Sequence, residues 1–340
     1  MSPRRLFGAV LLAALAAVSS LALVTSSGAA GPPLPKAAGG QTVEVVGTGV
    51  PTPTAFAFAG STVFAASGPD ESNNGPGGLF TLAGGKATKV PNTPAVIFGL
   101  AWKSNQLYVS TGPTIVALSG WNGTTFSTEK TIYQNKQKGF PGFNGLAFGP
   151  EGRLYAGLAL NPKYDHAADP FPMSQGVVSM TAAGKGIKMV ASGMRQPFQL
   201  TFPQGSKYPY VTVLGQDKGT KTAPNDQIDI AKPGSDFGFP TCIWTAAQKK
   251  KGGSCEGFDE PKIYLPPHAS PMGIGAIGKT LYVSLFGGTG KGPEVVEMSE
   301  RGQPMPFLTG FAAPVIALGI NGQSIYVGDL TGQVYKVAAK

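Results

Sequence analysis

Cysteine and histidine are nearly absent, with two of each in 340 residues. A structural zinc site wants four ligands, and no second Cys pair or His pair follows Cys242 and Cys255. Charge is scarce as well: Asp, Glu, Lys and Arg together make up 13% of the chain, against 42% hydrophobic residues. That balance excludes a disordered chain, which combines high charge with low apolar content. Beyond the N-terminal thirty residues or so, no stretch has the apolar periodicity and caps of an amphipathic helix. The formal net charge is +9, yet zinc-finger spacing, a recognition-helix pattern and interleaved basic and aromatic residues are all missing. Nucleic acid is therefore not the expected partner.

Turn formers are abundant, with 49 Gly and 30 Pro. Many short strands joined by tight turns have this composition. The N-terminus, MSPRRLFGAVLLAALAAVSSLALVTSSGAAG, has a basic start, an apolar run from Leu6 to about Val24 and small residues after it. Residues 1–30 read as a signal peptide, with cleavage after Ala29 or Ala30. Arg4 and Arg5 fit a twin-arginine export signal or an ordinary basic leader equally well. An uncleaved leader would be the one membrane contact. Residues 31–41 read as a flexible spacer. Export places the protein in the periplasm, the cell envelope or the extracellular space, where Cys242 and Cys255 would form a disulfide. Closing so short a loop contributes roughly 3 kcal/mol. The basic surface either attracts anionic sugars, wall polymers or lipid headgroups, or serves solubility alone.

One unit recurs: a strand, a small polar turn, then an aliphatic-aromatic-small strand. Its copies are FAFAGSTVFAAS (56–67), GLAWKSNQLYVSTG (99–112), GLAFGPEGRLYAG (145–157), QLTFPQGSKYPYVTVLG (199–215), GIGAIGKTLYVSLFG (273–287) and ALGINGQSIYVGDLTG (317–332). Most run on into a third strand. Six copies over 42–340 predict an all-β fold, a six-bladed β-propeller. The last copy has three obvious strands, and TVEVVGTG (42–49) is expected to supply the fourth and close the ring. Closure removes exposed sheet edges. Insertions after Tyr155 and Tyr210 should lie on one face of the disc, the expected place for function. Nothing in the sequence signals an oligomer, so a monomer is expected.

A narrower signal lies between about 190 and 290. VASGMRQPFQLTF (190–202), NDQIDIAKPGSDFGFPTC (225–242) and LPPHASPMGIG (265–275) resemble the soluble quinoprotein glucose/sorbosone dehydrogenase family. The resemblance implies a six-bladed propeller that binds pyrroloquinoline quinone (PQQ) with Ca2+ and oxidises a sugar or an aldehyde. The quinone would carry the redox chemistry, and an oxygen-held Ca2+ would polarise it. Carried over residue by residue, Arg195 matches the family arginine, and Gln196 stands in for its asparagine. Arg195, Gln196 and His268 are then expected to bind the cofactor. Gly215 and Gln216 fall where main-chain carbonyls hold calcium, although Val213 and Leu214 make that segment less polar. Asp226 and Asp229 match the family's D-E-I-N segment and read as turn caps more readily than as ligands.

The family's catalytic histidine belongs just before the third repeat. This chain has Phe140-Pro141-Gly142-Phe143-Asn144-Gly145 there, with no His, Arg or carboxylate. His166, in the loop NPKYDHAADP, is the remaining candidate base beside Arg195, or a loop residue without a role. Two other functions stay open: a non-catalytic propeller that binds a glycan or envelope partner, and a calcium-dependent lactonase using Glu44, Asn144 and Asp217.

Overall fold

A computed structural model describes residues 32–69, 77–216, 224–245, 255–299 and 302–339. Six antiparallel sheets account for nearly all of the regular structure. Blade I comprises Pro53–Ala59, Thr62–Ser67, Leu79–Ala83 and Lys86–Lys89; blade II Gly99–Lys103, Gln106–Thr111, Thr114–Trp121 and Phe126–Gln134. Blade III holds Phe143–Phe148, Leu154–Leu158, Val177–Met180 and Lys188–Ser192, and blade IV Gln196–Thr201, Tyr210–Leu214, Asp226–Ile230 and Ile263–Leu265. Blade V is Pro271–Ile277, Thr280–Leu285, Glu294–Met298 and Met305–Thr309. Blade VI joins Val315–Asn321, Ser324–Asp329 and Gln333–Ala338 to the N-terminal Val43–Thr48, with Val43 opposite Val337 and Thr48 opposite Gln333. The ring thus closes with the strand that the sequence assigns to it. A single 3-10 turn, Pro162–Tyr164, is the helical element among the described residues, and no helix there is long and apolar enough to cross a membrane.

The cores lie between blades, because alternate side chains of each strand face opposite neighbours. Phe64 and Leu79 of blade I meet Leu100 and Val109 of blade II. Tyr108, one residue before Val109, faces Phe143 and Leu154 of blade III instead. The same pairing continues around to blade VI, where Tyr326 and Val334 pack on Phe56 and Ala65 of blade I. A hydroxyl near the end of the second strand adds a link between blades. Ser110 Oγ donates to Asn144 O at 2.6 Å, Thr212 Oγ1 to Met272 O at 2.8 Å and Ser284 Oγ to Ile316 O at 2.7 Å. The Ser or Thr of the repeated Y-V-S/T therefore ties each of these blades to the next. The repeated glycine of the innermost strand has an equally local cause: a Cβ on Gly99 would lie 2.6 Å from Asn144 O.

Each innermost strand starts on the same face of the disc. The links between blades lie on that face, as do the connections from second to third strand. This loop face carries 159–176 and the described ends of 215–225, as the insertions predicted. A third long connection, 231–262, leaves from the opposite face. Its Ser235–Asp236 pairs in parallel with Ala191 and Ser192 on the outer edge of blade III. It then carries the Cys242–Cys255 disulfide, which is buried with Trp244.

Part of the expected spacer, 31–41, is regular structure. Lys36 and Ala37 pair with Thr309 and Leu308, covering the outer strand of blade V. An open strand edge recruits whatever chain is near, and here that chain is the spacer. The expected leader (1–30) and Asp217 lie outside the described residues.

Candidate functional site

Arg195 sits at the start of the innermost strand of blade IV, on the loop face, and is 5% exposed. Its guanidinium joins two segments. Nη1 donates to Gly215 O at 2.6 Å and to Leu214 O at 3.3 Å. Nη2 donates to Asp165 Oδ1, and Nε to the Asp165 carbonyl at 3.4 Å. Four of the five N–H groups of an arginine are thus engaged. One Nη2–H has no acceptor among the described residues.

Asp165 also faces His166: its Oδ2 lies 3.1 Å from Nε2. The His166 side chain is 44% exposed. The 159–176 loop that carries the pair is built locally. Asn161 accepts the Lys163 amide and starts the 3-10 turn. Gln175 Nε2 donates to Ala167 O at 2.7 Å, and Gln175 O accepts the Met194 amide at 2.9 Å. That last bond fixes the loop to the residue before Arg195. The structure therefore brings Arg195 and His166 together through Asp165, which sequence reasoning did not single out.

The remaining candidates are more dispersed. Gln196 is buried opposite Leu214. His268 is exposed in a tight turn, with a φ of 61° followed by 50° at Ser270. Asp226 holds that turn to blade IV: Oδ1 accepts the Gly215 amide at 2.6 Å and Oδ2 the Ser270 amide at 2.7 Å. It caps turns, as its sequence context suggested. Asp229 does not. It is fully buried in the third strand of blade IV, and neither carboxylate oxygen has a hydrogen-bond partner. Burial pushes its carboxyl well above the usual carboxylate range, and the charge of Asp259 adds to the effect.

Where the family's histidine was expected, the chain has core. Phe140 and Phe143 are buried, with ring centroids 5.0 Å apart. Asn144 is consumed between blades, donating to Pro197 O at 2.7 Å. Glu44 lies opposite Lys336 on the outermost strand of blade VI, far from the axis. Glu44 and Asn144 are thus not assembled as lactonase ligands.

Calcium does not fit the Gly215–Gln216 segment. The Gly215 carbonyl already accepts from a guanidinium. A Ca2+ on the same oxygen would sit roughly 4 Å from that charge and be repelled by ~8 kcal/mol at an effective dielectric near 20. Calcium sites draw on carboxylates, yet the cavity beside Arg195 is lined by Gly215, Gln216, Gln227, Phe237 and Trp244 among others, with no carboxylate among the described residues. Its volume of about 20 Å³ is that of a single water. The buried amide oxygens Gln216 Oε1 and Gln227 Oε1 are unpartnered, as such a water would require. Among the described residues no group of three His, Cys, Asp or Glu could hold a metal ion. A quinone bearing carboxylates asks for a fixed cationic donor, and the free Nη2–H of Arg195 is one.

No protein-family model matches the sequence, and no curated protein does. Solved structures do match. The PQQ-bound aldose sugar dehydrogenase of Streptomyces coelicolor aligns with a TM-score of 0.68 and 19% identity over 90% of this chain and 99% of its own. The apo aldose sugar dehydrogenase of Escherichia coli gives 0.67 and 16% over 88% and 99%. An AA12-family carbohydrate-active enzyme of Trichoderma reesei gives 0.74 and 15% over 93% and 100%. At these identities the likeness is one of fold: the chain has the six-bladed propeller of the aldose sugar dehydrogenases.

Proposed function

We propose that the protein is an exported dehydrogenase of a sugar or aldehyde, with PQQ as cofactor on the loop face beside Arg195. The observation that carries this reading is the Arg195–Asp165–His166 chain, which puts a positioned base next to a fixed cation. The fold shared with sugar dehydrogenases supports the substrate class, and the basic leader and the Cys242–Cys255 disulfide support export.

A bound ortho-quinone would supply the hydride acceptor. The chain's own residues do the rest. The remaining Nη2–H of Arg195 donates to an anionic oxygen, a bond strengthened by its formal charge. With Nε2–H directed at Asp165 Oδ2, the lone pair of His166 is on Nδ1. Nδ1 takes the proton of a substrate hydroxyl, and Asp165 holds the ring and steadies the imidazolium that forms.

The test is dye-coupled turnover of the PQQ-loaded protein on a panel of aldoses and aldehydes. Substrate-dependent dye reduction that falls by orders of magnitude in Arg195→Ala is the expected result. Turnover unchanged in that variant would remove the assignment. A second reading, a non-catalytic propeller binding an envelope glycan, is favoured by the phenylalanine core where the family keeps its base. It takes precedence if no substrate reduces the dye.

A further inference from the structure

We propose that Arg195 takes the place of a metal ion: the site carries its cation in the chain and works without calcium. This deepens the reading above, on which its cofactor part rests. The claim about calcium itself stands on the geometry of the chain.

Three observations converge on it. The Gly215 carbonyl accepts from Nη1 at 2.6 Å, and Leu214 O shares the same nitrogen at 3.3 Å. The guanidinium is 5% exposed and held on its other edge by Asp165, so it is fixed in place and does not sample solvent. Among the described residues the uncommitted donors nearby are neutral. Gln216 and Gln227 offer amide oxygens, while of the adjacent carboxylates among the described residues Asp226 is committed to two backbone amides and Asp165 to the arginine itself. A divalent ion would need to expel the arginine from Gly215 O and break its pairing with Asp165. A guanidinium differs from Ca2+ in two further ways. It cannot be removed by a chelator, and it presents directional donors to an anionic oxygen.

The test measures calcium and cofactor separately. In the first arm, thermal unfolding of the cofactor-free protein is followed over a CaCl2 titration against EGTA, for the wild type and for Asp229→Asn. Asp229 is the unpartnered buried carboxylate, and its removal takes away a competing place for the ion. No saturable shift below about 1 mM calcium is expected, weaker than extracellular calcium modules bind. A shift that Asp229→Asn abolishes also supports the proposal, since the ion is then elsewhere. A saturable shift at micromolar calcium that persists in Asp229→Asn overturns it. In the second arm, PQQ uptake is titrated in EGTA and in calcium. Equal affinity in both supports the proposal, and uptake in calcium alone overturns it while leaving the dehydrogenase reading intact. Uptake in neither condition counts against the PQQ reading only, and the first arm then decides the calcium claim.

Discussion

Replacing Asp229 by asparagine should make the protein more stable at neutral pH, which is unusual for a buried polar position. The carboxyl is fully buried, both oxygens lack partners, and burial followed by the nearby Asp259 raises its pKa well above the ordinary value. In the unfolded chain the same group titrates near about 3.9. The folded state therefore holds its proton more tightly. The stability it contributes is fully present below the unfolded value and is lost as pH rises through the raised folded value. Asparagine has the same shape and cannot ionise. Asparagine carries the same cost of an unpartnered polar group, so the gain is the aspartate's ionisation penalty alone, about 1.4 kcal/mol for each unit by which the folded value lies above the unfolded one, and one kcal/mol moves the Tm of a domain this size by roughly 2 °C. The variant should gain roughly 3 °C for each such unit at pH 7 to 8, with the gain shrinking toward zero near pH 4. Thermal unfolding from pH 4 to 9 reads this directly. Equal pH slopes for the two proteins, or a variant less stable throughout, would refute the reasoning.

Other consequences follow from the same geometry. Asp165→Asn keeps an oxygen for Arg195 but no longer holds the His166 tautomer, so kcat should fall by about 10²–10⁴ with KM little changed; a change confined to KM would argue that Asp165 serves binding instead. Gly99→Ala drives a methyl to 2.6 Å from the Asn144 carbonyl of the next blade. Overpacking of this kind costs about 1–3 kcal/mol, visible as a lower denaturation midpoint. The Cys242–Cys255 bridge spans a separation of 13 residues. Replacing both cysteines by serine should cost about 3 kcal/mol and make the Tm insensitive to reductant.

The propeller is legible in the sequence because each blade repeats the same local solution. The glycine of G-L-A-W at 99 admits the neighbouring backbone, and the serine of L-Y-V-S at 110 bonds the next blade, so packing between blades leaves a mark in every copy. The closing strand is legible for a related reason, since a ring with one strand too few has one place to find it. The site is legible only in part. Arg195 stands in a motif, but Asp165 lies 30 residues away in an insertion with no repeat to compare it with. Its pairing with Arg195 is a tertiary fact. The arginine's bond to Gly215 O is hidden in the same way: a main-chain carbonyl has no sequence identity, so motif alignment marks it as a calcium ligand regardless of what occupies it. Lys36 and Ala37 read as spacer because two residues on a sheet edge carry no apolar alternation.

The account's central claim is that the loop face around Arg195 takes an anionic quinone. The most direct measurement is an equilibrium titration of the purified protein with PQQ, followed by cofactor absorbance, on the wild type and on Arg195→Ala. The account predicts saturable uptake at micromolar cofactor by the wild type and its loss in the variant. Absence of uptake by the wild type, or equal uptake by both, would contradict it.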